Sequence, residues 1–265
     1  MNEVYRALGM TKQNFFQRQG RERIRRHEHM HLKRIIETVR EDHPEMGGKE
    51  LYRRINPPTI GRDRFLECYS SWGFRVVPKR NWRCTTDSSG VIRFPNLIEG
   101  RELTGINQAW VSDITYYEMG DKFSYITLVM DMYSRKIVGY SASTTLHVDV
   151  TTIPAIKMAL GRLKDGSKPI IHSDGGGQYF AKEFLKLTRN KLINSMGVSC
   201  YENSHAERLN KTIKNQYLYH FNPSNEEELS YQLRRTVRLY NNEKPHQALN
   251  GLTPAMFELK QLSTK

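Results

Sequence analysis

The chain has 265 residues, 38% of them apolar and 26% charged, enough for one sizeable core and a smaller module. No run approaches the roughly 18 consecutive apolar residues of a membrane-spanning helix, and MNEVYRALGM lacks the basic-then-apolar pattern of a secretory leader, so a cytoplasmic protein with no membrane partner is expected. The formal net charge of +13 is shared between 20 Lys/Arg against 12 Asp/Glu in residues 1–100 and 21 against 16 beyond them, a balance that draws both halves to a polyanion.

In chain order, residues 1–20 read as short helical segments, NEVYRALG and then MTKQNFFQR, with Thr11 placed to cap the second. Residues 22–42 read as a longer basic helix whose apolar positions are Ile24, Ile35, Ile36 and Val39. His27, His29 and His31 are separated by 200° on such a helix, which makes a polar face rather than a metal site. Pro44 and Gly47-Gly48 interrupt the pattern, KELYRRI (49–55) resumes it, Pro57-Pro58 ends it, and RDRFLECYSSWG gives a last helix over 62–73. Several short Arg-rich helices with tight turns predict a helix-turn-helix-like DNA-binding module over 1–75, with Arg53 and Arg54 as DNA-binding candidates. A structural cap for the larger domain is the alternative. Residues 76–108, rich in Pro, Gly, Ser, Thr and basic residues, read as a linker or arm along a DNA backbone. Cys68, Cys84 and Cys200 form no C-x-x-C pair and read as thiols.

The pattern changes at Trp110. WVSDITYYEM, KFSYITLVMDMYS and RKIVGYSAS are dense in Ile, Val, Tyr and Thr and predict an antiparallel meander. VTTIPAIKMALGRL reads as a helix, KPIIHSD as a short strand, QYFAKEFLKLTRNKL as a helix, INSMGVSCY as strand or loop, and NSHAERLNKTIKNQYLY and EEELSYQLRRTVRLYNN as two further helices. Strands first and alternating elements after predict an α/β protein, a mixed sheet with helices on its faces. The catalytic core is expected over 109–222, with a C-terminal helix and tail over 223–265.

Three acids stand out. Asp113 lies inside an apolar strand, pointing with Val111 and Thr115, where a carboxylate is costly without a cation or hydrogen-bond partners. Asp174 ends PIIHSD immediately before Gly175-Gly176-Gly177, and sites of α/β sheets gather at strand ends. Glu207 falls about one turn into a helix, from which a long carboxylate reaches back over the sheet edge. Mg²⁺ or Mn²⁺ prefers such oxygen ligands, and two ions about 4 Å apart, bridged by Asp113, suit phosphoryl transfer. Lys211 and Lys214 share a helix face with Glu207 and are DNA-backbone candidates, a wet Glu207–Lys211 pair being the alternative. Asp131 reads as a turn-stabilising acid, and Glu202 as a cap near the start of the Glu207 helix. His172 and His205 flank the acids without a nucleophile in a triad arrangement.

WVSDITY, DMYSRKIVGY, HSDGGGQY, YENSHAERLNKTIKN, YNNEKPHQALNGLTPAMF and, near the N-terminus, HPEMGGKELYRRI resemble ordered segments of the catalytic subunit (OrfB-like) of IS3-family insertion-sequence transposases, in the retroviral-integrase DDE superfamily. The resemblance implies an RNase H-like fold with a mixed five-stranded sheet flanked by helices. It implies a Mg²⁺-dependent DNA transposase, with Asp113, Asp174 and Glu207 as its catalytic acids, that cleaves a transposon end and transfers the resulting 3′-OH to DNA without a covalent enzyme intermediate. Its implied partners are double-stranded DNA, both terminal repeats and target, further copies of the chain on that DNA, and an upstream OrfA-like DNA-binding partner or fusion.

Two departures bear on the resemblance. The stretch between Asp174 and Glu207 is shorter than in the family, the loss falling in MGVSCYEN, and Glu202 stands where the family has an aspartate. The close cysteine pair of the zinc module in retroviral integrases is absent, so no structural zinc is expected. Two other readings stay open: a transposase-derived protein that binds DNA without cutting it, and an RNase H-like nuclease acting on RNA–DNA hybrids.

Overall fold

The computed structural model describes residues 9–77, 94–120, 122–163, 166–197 and 203–263. Segment 1–8, residues 78–93 of the 76–108 arm (Cys84 among them), Cys200 and Glu202 therefore lie outside the described residues. The chain divides into two compact units, Met1–Val77 and Pro78–Lys265.

The first unit holds α1 (Lys12–Asp42), α2 (Gly48–Ile55) and α3 (Arg62–Ser71). Thr11 caps α1 as its sequence position predicts, its Oγ1 accepting the Asn14 N–H at 3.1 Å. The expected break near residue 21 is absent. A single glycine, Gly20, costs a helix only about 1 kcal/mol, too little to stop it between good helix formers. Ile24 is also a correction, being 61% exposed, while the core is built from Leu32, Ile36, Met46, Leu51, Phe65 and Tyr69, with Val39 packed against it. The apolar face begins where α2 and α3 have side chains to meet it, later along the helix than periodicity suggests. His27 and His31 are exposed, and His29 packs edge-on against Trp72 and near the Cys68 thiol. The turn from α2 ends with Asn56 in the left-handed region (φ 45°), a conformation asparagine tolerates.

The second unit is built on one sheet of five strands: β1 (Ala109–Met119), β2 (Lys122–Asp131), β3 (Ile137–Ser143), β4 (Ile170–Ser173) and β5 (Ile193–Met196). Its order is β3-β2-β1-β4-β5. The first three strands form the expected antiparallel meander, and β4 and β5 extend it in parallel beside β1. This is the RNase H-like mixed sheet. On one face Trp110, Val129 and Val138 pack against Ala155, Ile156 and Ala159 of α4 (Thr152–Leu160) and Phe184 of α5 (Lys182–Thr188). On the other, Val111, Tyr117, Ile126 and Leu128 pack against Ala206, Leu209 and Ile213 of α6 (Ser204–Ile213) and Leu229, Leu233 and Val237 of α7 (Glu226–Asn242). Alternate β1 residues thus feed two cores, as the period of two requires.

Two contacts fix the outer helices. Asn241 of α7 grips the β3 backbone with both halves of its amide, donating to the Ile137 carbonyl and accepting its N–H, each at 2.9 Å. The C-terminal helix α8 (Pro254–Ser263) is held to the β2–β3 turn by Glu258, which accepts from Ser134 Oγ at 2.8 Å and pairs with Lys136.

Candidate active site

Asp113 stands at the middle of β1 on the face shared by Val111 and Tyr117, under α6. Parallel pairing sets Val111 opposite His172, so two residues further along each chain Asp113 comes level with Asp174, just past the end of β4. Glu207 lies in the first turn of α6 and is half-buried. Both Asp174 and Glu207 are near enough to act electrostatically on Asp113. Its carboxyl is pushed up to about 7, first by burial and then by the Asp174 charge, with Glu207 adding to the rise, while the Ile114 N–H and Lys214 oppose it.

Local structure explains the placements. The Asp113 carboxylate accepts the Ile114 N–H on Oδ1 at 2.9 Å and the Asn210 side-chain amide on Oδ2 at 2.7 Å. Asp174 accepts the Gly176 N–H at 3.1 Å, and a Cβ on Gly176 would meet that same oxygen at 3.0 Å, so a glycine lets the chain fold tightly onto the carboxylate. Burial raises the Asp174 pKa, with the Gly176 N–H opposing it. The buried Tyr179 phenol lies near both aspartates and shares a 2.8 Å hydrogen bond with Ser112.

Of the two lysines, Lys211 is exposed. Lys214 lies 4.9 Å from the centre of the Tyr116 ring and donates to the Tyr116 carbonyl at 3.2 Å. It opens a π-helical stretch, Lys214–Leu218, a local rewinding that re-aims side chains and recurs at functional sites. Arg53 is exposed on α2 in the first unit, and Arg54 beside it is half-buried.

Asp131 is a structural acid. Fully buried, it accepts from the backbone N–H groups of Tyr133 and Ser134 on Oδ1, at 3.0 and 2.7 Å, and of Asn107 on Oδ2, at 2.6 Å, closing the β2–β3 turn. His205 accepts from Arg135 at 2.7 Å, and burial followed by the Arg135 and Arg208 charges pushes its pKa down to about 4. His172 does face a hydroxyl, Ser195 Oγ at 2.9 Å, but Ser195 is buried, takes the Leu97 N–H and donates to the Pro95 carbonyl. This contact ties residues 95–97 to β5 and is closed to a substrate. Sequence reasoning missed Asn210, whose only signal is its place one turn beyond Glu207 on the same helix face.

Asp113, Asp174 and Glu207 offer only oxygen donors and negative charge, the chemistry that suits a hard divalent cation. Among the described residues no group of three His, Cys, Asp or Glu side chains is gathered around one metal position. Three like charges with no cation between them have no reason to converge, and Glu207 has rotatable bonds with which to close.

Comparison with known proteins identifies the family. Models described as "Integrase core domain" match residues 104–195 and 188–254. The insertion element IS600 uncharacterized 31 kDa protein of Shigella sonnei is 30% identical over 207 residues, covering 76% of each chain. Transposase InsF for insertion sequence IS3A of Escherichia coli (strain K12) is 31% identical over 171 residues, 60% of this chain and 57% of InsF. The chain belongs to the IS3-family transposases. This family member spans just over half the length of InsF. A chain of the simian T-cell lymphotropic virus intasome in complex with PP2A regulatory subunit B56 gamma shares the fold of this transposase homologue, with a TM-score of 0.56 at 15% identity over 83% of this chain and 71% of that one. Among its described residues no helix is long and apolar enough to cross a membrane.

Proposed function

We propose that this chain cleaves DNA at the ends of an insertion sequence and transfers the exposed 3′-OH to target DNA, with Asp113, Asp174 and Glu207 as catalytic residues and metal ligands. The observation that carries the reading is the placement of the three acids: parallel pairing with β4 brings Asp113 of β1 level with Asp174, and α6, packed on that face of β1, carries Glu207 in its first turn. Burial and the neighbouring carboxylates raise the Asp113 carboxyl to about 7, a shift that Lys214 alone does not offset with positive charge, and clustered perturbed acids mark reaction centres. Two Mg²⁺ ions, with Mn²⁺ as an alternative, would supply that charge, activating the attacking oxygen and stabilising the leaving 3′ oxygen.

The chain's own residues do the rest. Asp113, Asp174 and Glu207 would hold the ions between them. Asp113 is half-buried, which limits the water around it and would strengthen charge interactions at the phosphodiester. Water is the attacking group in cleavage, and a DNA 3′-OH is the attacking group in transfer. No side chain is esterified. Lys214, at the edge of the carboxylate cluster, and the exposed Lys211 would hold the DNA backbone, while Arg53 and Arg54 of the first unit would contact DNA separately. Transposon terminal repeats and target DNA are the proposed partners, with further copies of this chain assembled on them and an OrfA-like protein or fusion aiding recognition of the ends.

The test is a strand-transfer assay with duplexes carrying the element's own ends in Mg²⁺. Wild type yields joined products, and Asp113→Asn lowers the rate by about three orders of magnitude while DNA binding persists. Wild type that assembles on DNA yet gives no product would identify a binding-only protein. Preferential cleavage of RNA–DNA hybrids would identify a nuclease instead.

A further inference from the structure

We infer that Asn210 is a positioning residue of this site, holding the Asp113 carboxylate in the orientation that receives a divalent cation without touching the cation itself. The inference rests on the reading of Asp113 as a metal ligand. Asn210 is only 5% exposed, and its amide donates to Asp113 Oδ2 at 2.7 Å while the Ile114 N–H donates to Oδ1 at 2.9 Å. With one donor on each oxygen, rotation of the carboxylate is blocked and the remaining lone pairs keep fixed directions.

The residue type is informative. The Asn210 carbonyl oxygen is buried with no hydrogen-bond partner among the described residues. A buried amide left half-satisfied is less stable than an apolar side chain of similar volume, so general packing does not account for asparagine here. Its donor does. Lysine would supply the charge that a cation is needed to supply, and aspartate would add a fourth repulsion, whereas a neutral N–H orients Asp113 and leaves its charge available. Asn203, buried at the start of α6, reaches the neighbouring Ser112 carbonyl at 3.5 Å, so the two asparagines bracket Glu207 and register α6 against β1 residues 112 and 113.

The test titrates the full 265-residue chain with Mn²⁺ alone, reading free ion by its electron paramagnetic resonance signal. Asn210→Leu keeps the side-chain volume and removes the donor, and Asn210→Ala is a second donor-free variant should the first not fold. Metal-free thermal denaturation identifies which variants are folded. The expected result is about a tenfold or greater loss of Mn²⁺ affinity in a folded donor-free variant, with its strand-transfer rate recovering at saturating Mn²⁺. Wild-type Mn²⁺ affinity in such a variant, while Asp113→Asn abolishes binding, overturns the role of Asn210 and leaves the ligand set standing. If wild type binds no Mn²⁺, or Asp113→Asn binds it normally, the ligand set itself fails and the inference falls with it.

Discussion

Asp113 carries the clearest consequence of the site's charge. Its pKa rises from an ordinary 3.8 to about 7 in the folded, metal-free chain. Between those values the folded state keeps a proton that the unfolded chain has released, so the contribution to stability is full below about pH 4 and is lost as pH rises through 7. Its size is on the order of a few kcal/mol. Denaturation of chelator-treated protein at pH 4.5 and 7.5 should therefore show a larger fall for wild type than for Asp113→Asn, since Asp174 and Asp131 are raised in both. Equal falls would mean that Asp113 does not hold its proton. The oddity of an aspartate inside an apolar strand was legible in the sequence, as was the turn-forming role of Asp131. Asn210 was not, because an asparagine on a polar-looking helix face gives no sign that it is buried until α6 is seen lying on β1.

Among the elements, the close approach of β3 to α4 depends on Gly139. A Cβ there would overlap the Ala155 carbonyl oxygen, a backbone atom that cannot swing aside. Gly139→Ala should destabilise the second unit by about 3 kcal/mol or more in urea denaturation. Gly20, inside α1 with no heavy atom within 4 Å of where an added methyl group would stand, should behave oppositely, and Gly20→Ala should stabilise α1 by about 0.5–1 kcal/mol. A Gly139→Ala chain as stable as wild type would show that β3 and α4 can separate without cost. The strands were legible because alternation and β-branched residues recur through residues 109–143, and the helices on the sheet because their apolar spacing is regular. The continuity of α1 was less so. A lone glycine looks like a break in a sequence and is merely a weak point in a helix.

The whole molecule holds two units with separate cores, the first built around Ile36, Leu51 and Phe65 and the second around one sheet. The positive charge shared by both predicts an affinity for DNA that falls steeply with salt. Arg53 is exposed on α2, and Arg53→Ala should weaken binding across sequences and reduce the slope of log affinity against log salt by about 1. An unchanged slope would remove Arg53 from the DNA contact. The mixed sheet could be anticipated from the order of strands and helices, but its strand order could not, because parallel pairing of β4 with β1 joins segments some sixty residues apart.

The most direct measurement is the structure of the full chain with Mn²⁺, the ions located by their anomalous scattering. Oxygens of Asp113, Asp174 and Glu207 should all lie about 2.0–2.6 Å from the ions, with Glu207 swung inward to reach them. Well-ordered density that keeps Glu207 turned away, with Mn²⁺ absent or bound elsewhere, would contradict the account.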